Sequence, residues 1–143
     1  MALSLKESIA RGQWIVSDDQ IITGRSKLLG RTERVLVHAV WIDNQSTRQV
    51  ASLVGVTPSC VRQRIRRIVK RMHSEDFLAA ARLLPELTGR HAVVARLHFC
   101  QGLSCRAAAD KTGIPYHEFR RLVDEVKGIM RLRQRRDARR RGA

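Results

Sequence analysis

The sequence predicts an all-α protein: two tandem helix-turn-helix units followed by a basic C-terminal tail. Three observations carry that expectation. Residues 34–72 and 92–130 hold one pattern twice, without a gap. Setting Gly55 on Gly113, an offset of 58, superposes Val35 on Val93, Trp41 on Phe99, Ser46 on Ser104, Arg48 on Arg106, Ala51 on Ala109, Val56 on Ile114, Arg62 on Arg120 and Met72 on Met130. Many independent positions must agree at once for such a match, so the repeat outweighs any single motif. In each copy a hydroxyl residue, a small alanine and a glycine stand where a helix start, a close helix crossing and a left-handed turn need them. After each glycine, apolar residues recur at intervals of three and four, the period of a half-buried helix.

Composition bounds the rest. The chain has 143 residues, enough for one sizeable domain or two small ones, and 43% of them are apolar but only 4% aromatic, so the core is expected to be Leu, Val, Ile and Ala. Lys and Arg number 28 against 13 Asp and Glu, a net charge of +15. A chain this basic is drawn to polyanions, with nucleic acid the first expectation and an anionic membrane surface the second. No stretch reaches the roughly 20 apolar residues that span a bilayer, and the N-terminus lacks the continuous apolar run of a signal peptide. Three cysteines in no dense framework fit a reducing compartment. The expectation is therefore a cytoplasmic protein with no membrane partner.

Residues 1–25 form an N-terminal segment in which Leu3, Leu5, Ile9 and Trp14 suggest a short amphipathic helix, while Ile15-Val16 and Ile21-Ile22 suggest extended pieces around the turn-like Ser17-Asp18-Asp19. Residues 26–73 are the first unit. From Lys27 to Ile42 the apolar positions Leu28, Leu29, Val35, Leu36, Ala39, Val40 and Trp41 predict one or two helices interrupted near Gly30, with a break at Asp43-Asn44-Gln45. Ser46 or Thr47 caps the next helix, which runs through Val50, Ala51 and Val54. Gly55 ends it in a left-handed conformation that glycine adopts without steric cost. Thr57 then caps a helix from Pro58 to about His73, proline being at home in a first turn whose amides are unpaired anyway. In that helix Val61, Ile65, Ile68 and Met72 make the packing stripe. Ser59, Arg62, Gln63, Arg66 and Lys70 line another side, with Arg64, Arg67 and Arg71 between the two.

Residues 74–89 are predicted to be a linker helix ended near Pro85. Residues 90–130 are the second unit. A helix from about Arg90 to Phe99 breaks at Gln101-Gly102, and Ser104 caps a helix through Ala107, Ala108 and Ala109. Gly113 turns, and Pro115 opens a last helix whose stripe is Phe119, Leu122, Val123, Val126 and Met130. Gly55 is expected to tolerate a β-branched residue less well than Gly102, which lies in a looser break. In residues 131–143, RLRQRRDARRRGA, arginine is so dense that self-repulsion predicts a frayed tail adding sequence-independent affinity for phosphate.

The first unit, STRQVASLVGVTPSCVRQRIRRIVKRM, resembles the helix-turn-helix of region 4 of bacterial sigma factors and the small regulators built like it. Over residues 32–69 it is also similar, more weakly, to TrfB-type plasmid repressors. The likeness covers a quarter to a third of the chain. It implies double-stranded DNA as the partner, with Thr57, Pro58, Ser59, Arg62, Gln63 and Arg66 facing the major groove and Thr47 and Arg48 touching backbone. The sequence departs from the pattern at Arg64, where an apolar residue usually sits three after Val61; Ile65 is expected to take over the packing.

The residue types support the same reading. Arginine donates two hydrogen bonds to a guanine edge and glutamine pairs with adenine, so Arg62 and Gln63 suit base recognition. In the second unit Pro115, Tyr116, His117, Arg120 and Arg121 occupy the corresponding positions, but Asp124 and Glu125 replace Arg66 and Arg67, which would bring two acids near phosphates. That helix is thus expected to touch either DNA or protein, the protein being a second copy in a homodimer or an RNA polymerase. His98, Cys100, Cys105 and His117 invite a zinc reading, but metal cysteines come in close pairs and no CxxC is present; no metal or cofactor is expected. No phosphate loop or activated nucleophile stands out.

The expected function is a sequence-specific DNA-binding transcription regulator of bacterial, phage or plasmid type, and not an enzyme. The rivals are a nonspecific RNA-binding or nucleoid-packaging protein, a sigma-like subunit that recruits polymerase, and an adaptor whose second unit binds protein.

Overall fold

The computed structural model describes residues 19–142, and among these it is all helical, with no strand. The chain divides into two compact units, Met1–Met72 and His73–Ala143. The expectations for Leu3, Leu5, Ile9, Trp14, Ile15-Val16 and Ser17-Asp18 lie outside the described residues.

The first unit holds α1 (Asp19–Ser26), α2 (Arg31–Trp41), α3 (Thr47–Val54) and α4 (Pro58–Met72). The second holds α5 (Glu75–Leu83), a single 3₁₀ turn (Leu84–Glu86), α6 (Gly89–Val94) continuing as a π-helical stretch (Ala95–Cys100), α7 (Cys105–Thr112) and α8 (Tyr116–Arg141).

The loops and caps of the two copies make corresponding backbone hydrogen bonds. Asp43 N–H donates to the His38 carbonyl as Gln101 N–H does to Arg96, and Gln45 to Ala39 as Leu103 to Leu97. Val50 to Ser46, Gly55 to Ala51 and Val61 to Thr57 match Ala108 to Ser104, Gly113 to Ala109 and Phe119 to Pro115. Four left-handed residues match, Asn44 (φ 50°) with Gly102 (φ 72°) and Gly55 (φ 76°) with Gly113 (φ 74°), while Gly89 (φ 57°) is left-handed where its counterpart Arg31 is not. Gly102 is therefore as constrained as Gly55, against the expectation of a looser break. The helix before the loop is α-helical in the first copy and π-helical over Ala95–Cys100 in the second, and a turn bond also differs, for a reason visible in the side chains. Val56 N–H reaches the Ala51 carbonyl at 3.1 Å, whereas Ile114 N–H takes the Thr112 hydroxyl at 3.3 Å, an acceptor that Val54 lacks.

The caps and stripes form as the residues dictate. The Ser46 hydroxyl accepts from Gln49 N–H and the Gln49 side chain accepts from Ser46 N–H, a complete capping box. Ser104 caps α7 through Ala107 N–H, where the alanine has no side chain to return the bond. Val61, Ile65, Ile68 and Met72 are all buried, and Val69 joins them; Arg64 is exposed beside a fully buried Ile65. The second stripe, Phe119, Leu122, Val123, Val126 and Met130, is buried throughout.

Four features correct the sequence reading. Ile21-Ile22 is helical, not extended: α1 carries Ile22 into the core, and Arg25 Nη1 donates to the Met72 carbonyl at 3.1 Å, tying α1 to the end of α4. Residues 19–25 thus belong to the first unit. Residues 74–89 are not a spacer, because α5, capped by Ser74, buries Phe77, Ala80 and Leu83 within the second unit and packs on the π-helical stretch and α8. At the offset of 58, α5 is the counterpart of α1, so among the described residues each unit has four α-helices. Val35 is exposed and Val37 is buried in its place.

Finally, the tail is helical to Arg141 instead of frayed. It extends a helix already nucleated, which costs less than starting one. Its cations sit at the negative end of the helix dipole, and Arg133 donates to Glu86 and lies 3.9 Å from Asp137 one turn on. The Glu86 carboxylate, by hydrogen bond and charge, holds the Arg133 guanidinium above its ordinary pKa.

Candidate nucleic-acid interface

The capping box fixes the start of α3, the small Ala51 lets α4 cross close by, and Gly55 turns the chain. Thr57 Oγ1 accepts from Cys60 N–H at 3.2 Å, so this hydroxyl is used in starting α4. Pro58 and Thr47 are half-buried; Arg48 and Thr57 are exposed. Ser59, Arg62, Gln63, Arg66 and Lys70 are all exposed. At about 100° per residue they fall within an arc of roughly 100°, bordered on the Arg62 side by the buried Val69 and on the Gln63 side by Arg67. The outcome is a polar and basic face, carried on a helix whose rotation the core fixes.

On the flank of this face Arg64 and Arg67 are exposed, but Arg71 is not free for phosphate: it donates to Glu33 of α2 in a partly buried pair. Arg71 therefore fastens α4 to α2, a correction to its placement beside Arg64 and Arg67.

In the second unit His117, Arg120 and Arg121 are exposed and take the positions of Ser59, Arg62 and Gln63. Tyr116 is half-buried, with the Arg106 guanidinium 5.5 Å and that of Arg120 5.9 Å from its ring centroid, and the His117 ring edge-on at 5.9 Å. Such cation–π contacts are worth about 0.5–1 kcal/mol at exposed sites and hold both arginines at the start of α8. Arg106 was absent from the expected site, although the offset of the repeat places it opposite Arg48.

The acids of α8 divide. Glu118 accepts from Arg90 of α6. Glu125 lies 2.7 Å from His91 Nε2 and 3.9 Å from Arg121 Nε. Both are thus matched to bases. Only Asp124 is exposed on the same face as His117 and Arg120, so one of the two acids expected near phosphate is on that face and the other is turned to α6. His98 Nδ1 is 2.8 Å from the Leu103 carbonyl, inside the loop before α7, and Cys100 is fully buried.

Comparison of the chain with family models, curated proteins and solved structures returned no match. Geometry and charge are what bear on function. No helix among the described residues is long and apolar enough to cross a membrane. What the two faces offer chemically is a set of guanidinium forks, an amide and hydroxyls held on preformed helices, which is the equipment for hydrogen bonding to base edges and phosphates together.

Proposed function

We propose that the chain is a sequence-specific double-stranded DNA-binding transcription regulator, which lays α4 in the major groove as its principal reader and uses α8 as a second contact. The observation that carries this reading is the exposed arc Ser59, Arg62, Gln63, Arg66 and Lys70 on a helix entered through a left-handed glycine and a threonine cap. Charge alone would serve a packaging protein, and such a protein has no need of a Gln63 amide beside Arg62 on a core-fixed face. Arg62 suits a guanine edge and Gln63 an adenine edge. Arg64, Arg67 and Arg48 are exposed alongside, where contacts to phosphate set position without reading sequence. The net charge of +15 supplies long-range attraction to the duplex.

Selection of bound sequences from random duplex DNA tests the proposal. An enriched motif of a few base pairs is the expected result. Equal retention of all duplexes, with RNA bound as well as DNA, would replace it with nonspecific packaging.

A further inference from the structure

The C-terminal arginines are arranged by the helix, not merely concentrated. Beyond Met130, where α4 has no counterpart, α8 continues with two unlike sides. Met130 is buried and Arg133 and Asp137 are half-buried. This inner side faces α5 across a groove of about 480 Å³ whose lining includes Leu78, Ala79, Arg82, Met130, Arg133 and Asp137. The bond from Arg133 to Glu86 pins the rotation of the extension to the 3₁₀ turn. The opposite side carries Arg131, Arg135 and Arg139, all exposed. At about 100° per residue these three fall in the same arc as His117, Arg120, Arg121 and Asp124, with Gly128 between the two groups. From His117 to Arg139 the row runs about 33 Å at 1.5 Å per residue.

We propose that Arg131, Arg135 and Arg139 form a phase-locked phosphate-binding ridge, which continues the exposed face of α8 onto the sugar–phosphate backbone of a duplex. The inference rests on the DNA-binding reading given above. The major groove is about 12 Å wide, so a straight helix with its first turns in the groove leaves it within that distance and passes over the flanking backbone. Arginines at intervals of four then meet phosphates from one side, each through a planar fork that gives up less freedom per hydrogen bond than a lysine ammonium does. Arg136 and Arg140 border the ridge, about 60° and 100° round the helix from Arg139, and Arg141 lies farther round, so these three are expected to add mostly diffuse charge. A frayed tail would make no such distinction, since every arginine would reach phosphate equally.

Two triple variants of the full chain separate the possibilities, because each removes three positive charges: Arg131→Ala with Arg135→Ala and Arg139→Ala, and Arg136→Ala with Arg140→Ala and Arg141→Ala. Helix content by circular dichroism controls for unwinding. Binding to the selected duplex is measured between 50 and 200 mM salt. The first variant is expected to lose at least about tenfold in affinity and to lower the slope of log affinity against log salt by up to about 2.7, that is 0.9 for each phosphate no longer neutralised. The second is expected to lose no more than about threefold, with little change in slope. Glu86→Gln removes no arginine yet unpins the extension, and is expected to narrow the gap between the two triples. Equal losses and equal slopes for the two triples overturn the ridge while leaving DNA binding intact. Failure of the unaltered chain to bind duplex DNA overturns the DNA-binding reading itself, and the ridge with it.

Discussion

In the first unit the acid is on the supporting helix and the base on the helix that follows the glycine turn: Glu33 of α2 meets Arg71 of α4. In the second unit the signs are exchanged, for Arg90 and His91 of α6 meet Glu118 and Glu125 of α8. Glu33 and His91 occupy the same position of the repeat. The loops and turns that follow them nevertheless match, in the left-handed pairs Asn44 with Gly102 and Gly55 with Gly113 and in their hydrogen bonds, although Gly89 is left-handed where Arg31 is not and Ala95–Cys100 is π-helical where the first copy is α-helical. A handful of positions with strict local demands, the two serine caps, the two small alanines and the two turn glycines, therefore suffice to hold this arrangement. The ion pairs between the helix flanks use different positions in the two copies, since Arg71 corresponds to Ile129 and Glu125 to Arg67. The flank of α4 carries the exposed cations Arg64 and Arg67, which pair with no acid among the described residues, whereas Glu118 and Glu125 on α8 meet Arg90 and His91, and the two helices meet a polyanion on unequal terms.

Core substitution at equivalent positions makes the largest expected difference between the units. Phe119 and Val61 are both fully buried and superpose in the repeat. Phe119→Ala is expected to cost about 3–5 kcal/mol, and Val61→Ala roughly half of that, because fewer buried atoms are removed. Urea unfolding followed by circular dichroism measures both, and equal losses would mean that the two cores do not bear on these residues alike.

Next in size are the reading faces. Arg62→Ala or Gln63→Ala is expected to cost about 1–3 kcal/mol on the preferred duplex and to relax base choice at one or two positions, with little effect on random DNA. Replacing Arg120 and Arg121 together is expected to cost less than replacing Arg62 and Gln63 together, since Asp124 shares their face and Glu125 draws on Arg121. Titrations on selected and random duplexes give the ranking; the reverse order would make α8 the principal reader.

The turn glycines should then behave as equals. Nothing lies within 4 Å of a Cβ built on Gly55 or Gly113, so alanine at either meets no neighbour, and the cost is the left-handed backbone alone, about 1–2 kcal/mol in each unit. Gly102→Ala is expected to fall in the same range. Melting temperatures check the equality, and a benign Gly113→Ala beside a damaging Gly55→Ala would show that the backbones only look alike. The smallest contrast lies in the caps. Ser46→Ala and Ser104→Ala are each expected to cost about 1 kcal/mol, with Ser46 the more sensitive because it also breaks the reciprocal bond with Gln49. Thermal unfolding of the two single variants should resolve that order.

The candidate site was legible in the sequence as far as its parts are local. Ser46, Thr57 and Pro58 act on first turns and Gly55 on the end of α3, and the stripe from Val61 to Met72 follows from helical period, so the exposed arc of Arg62, Gln63 and Arg66 follows from local sequence alone. The second stripe, from Phe119 to Met130, was equally plain. The helices α1 and α5 were not. In DQIITGRS both Ile22 and Ser26 are fully buried, and a serine among mostly polar neighbours leaves no apolar period to detect. The apolar EDFLAAARL reads as a helix, but not as one that completes the second core. Nor could spacing reveal that Arg71 is taken by Glu33 or Glu125 by His91, since those partners lie 38 and 34 residues apart.

The sequence by itself thus determined the helical class, the repeat, the caps and turns, and the direction in which the first exposed face points, because each depends on interactions within a turn or two of helix. Only the tertiary structure decided which charges are spent on packing and which remain exposed, and that the arginine tail is a pinned helix instead of a frayed end. Those outcomes depend on distant side chains meeting, such as Glu86 and Arg133, 47 residues apart, and proximity of that kind exists only once the chain has folded.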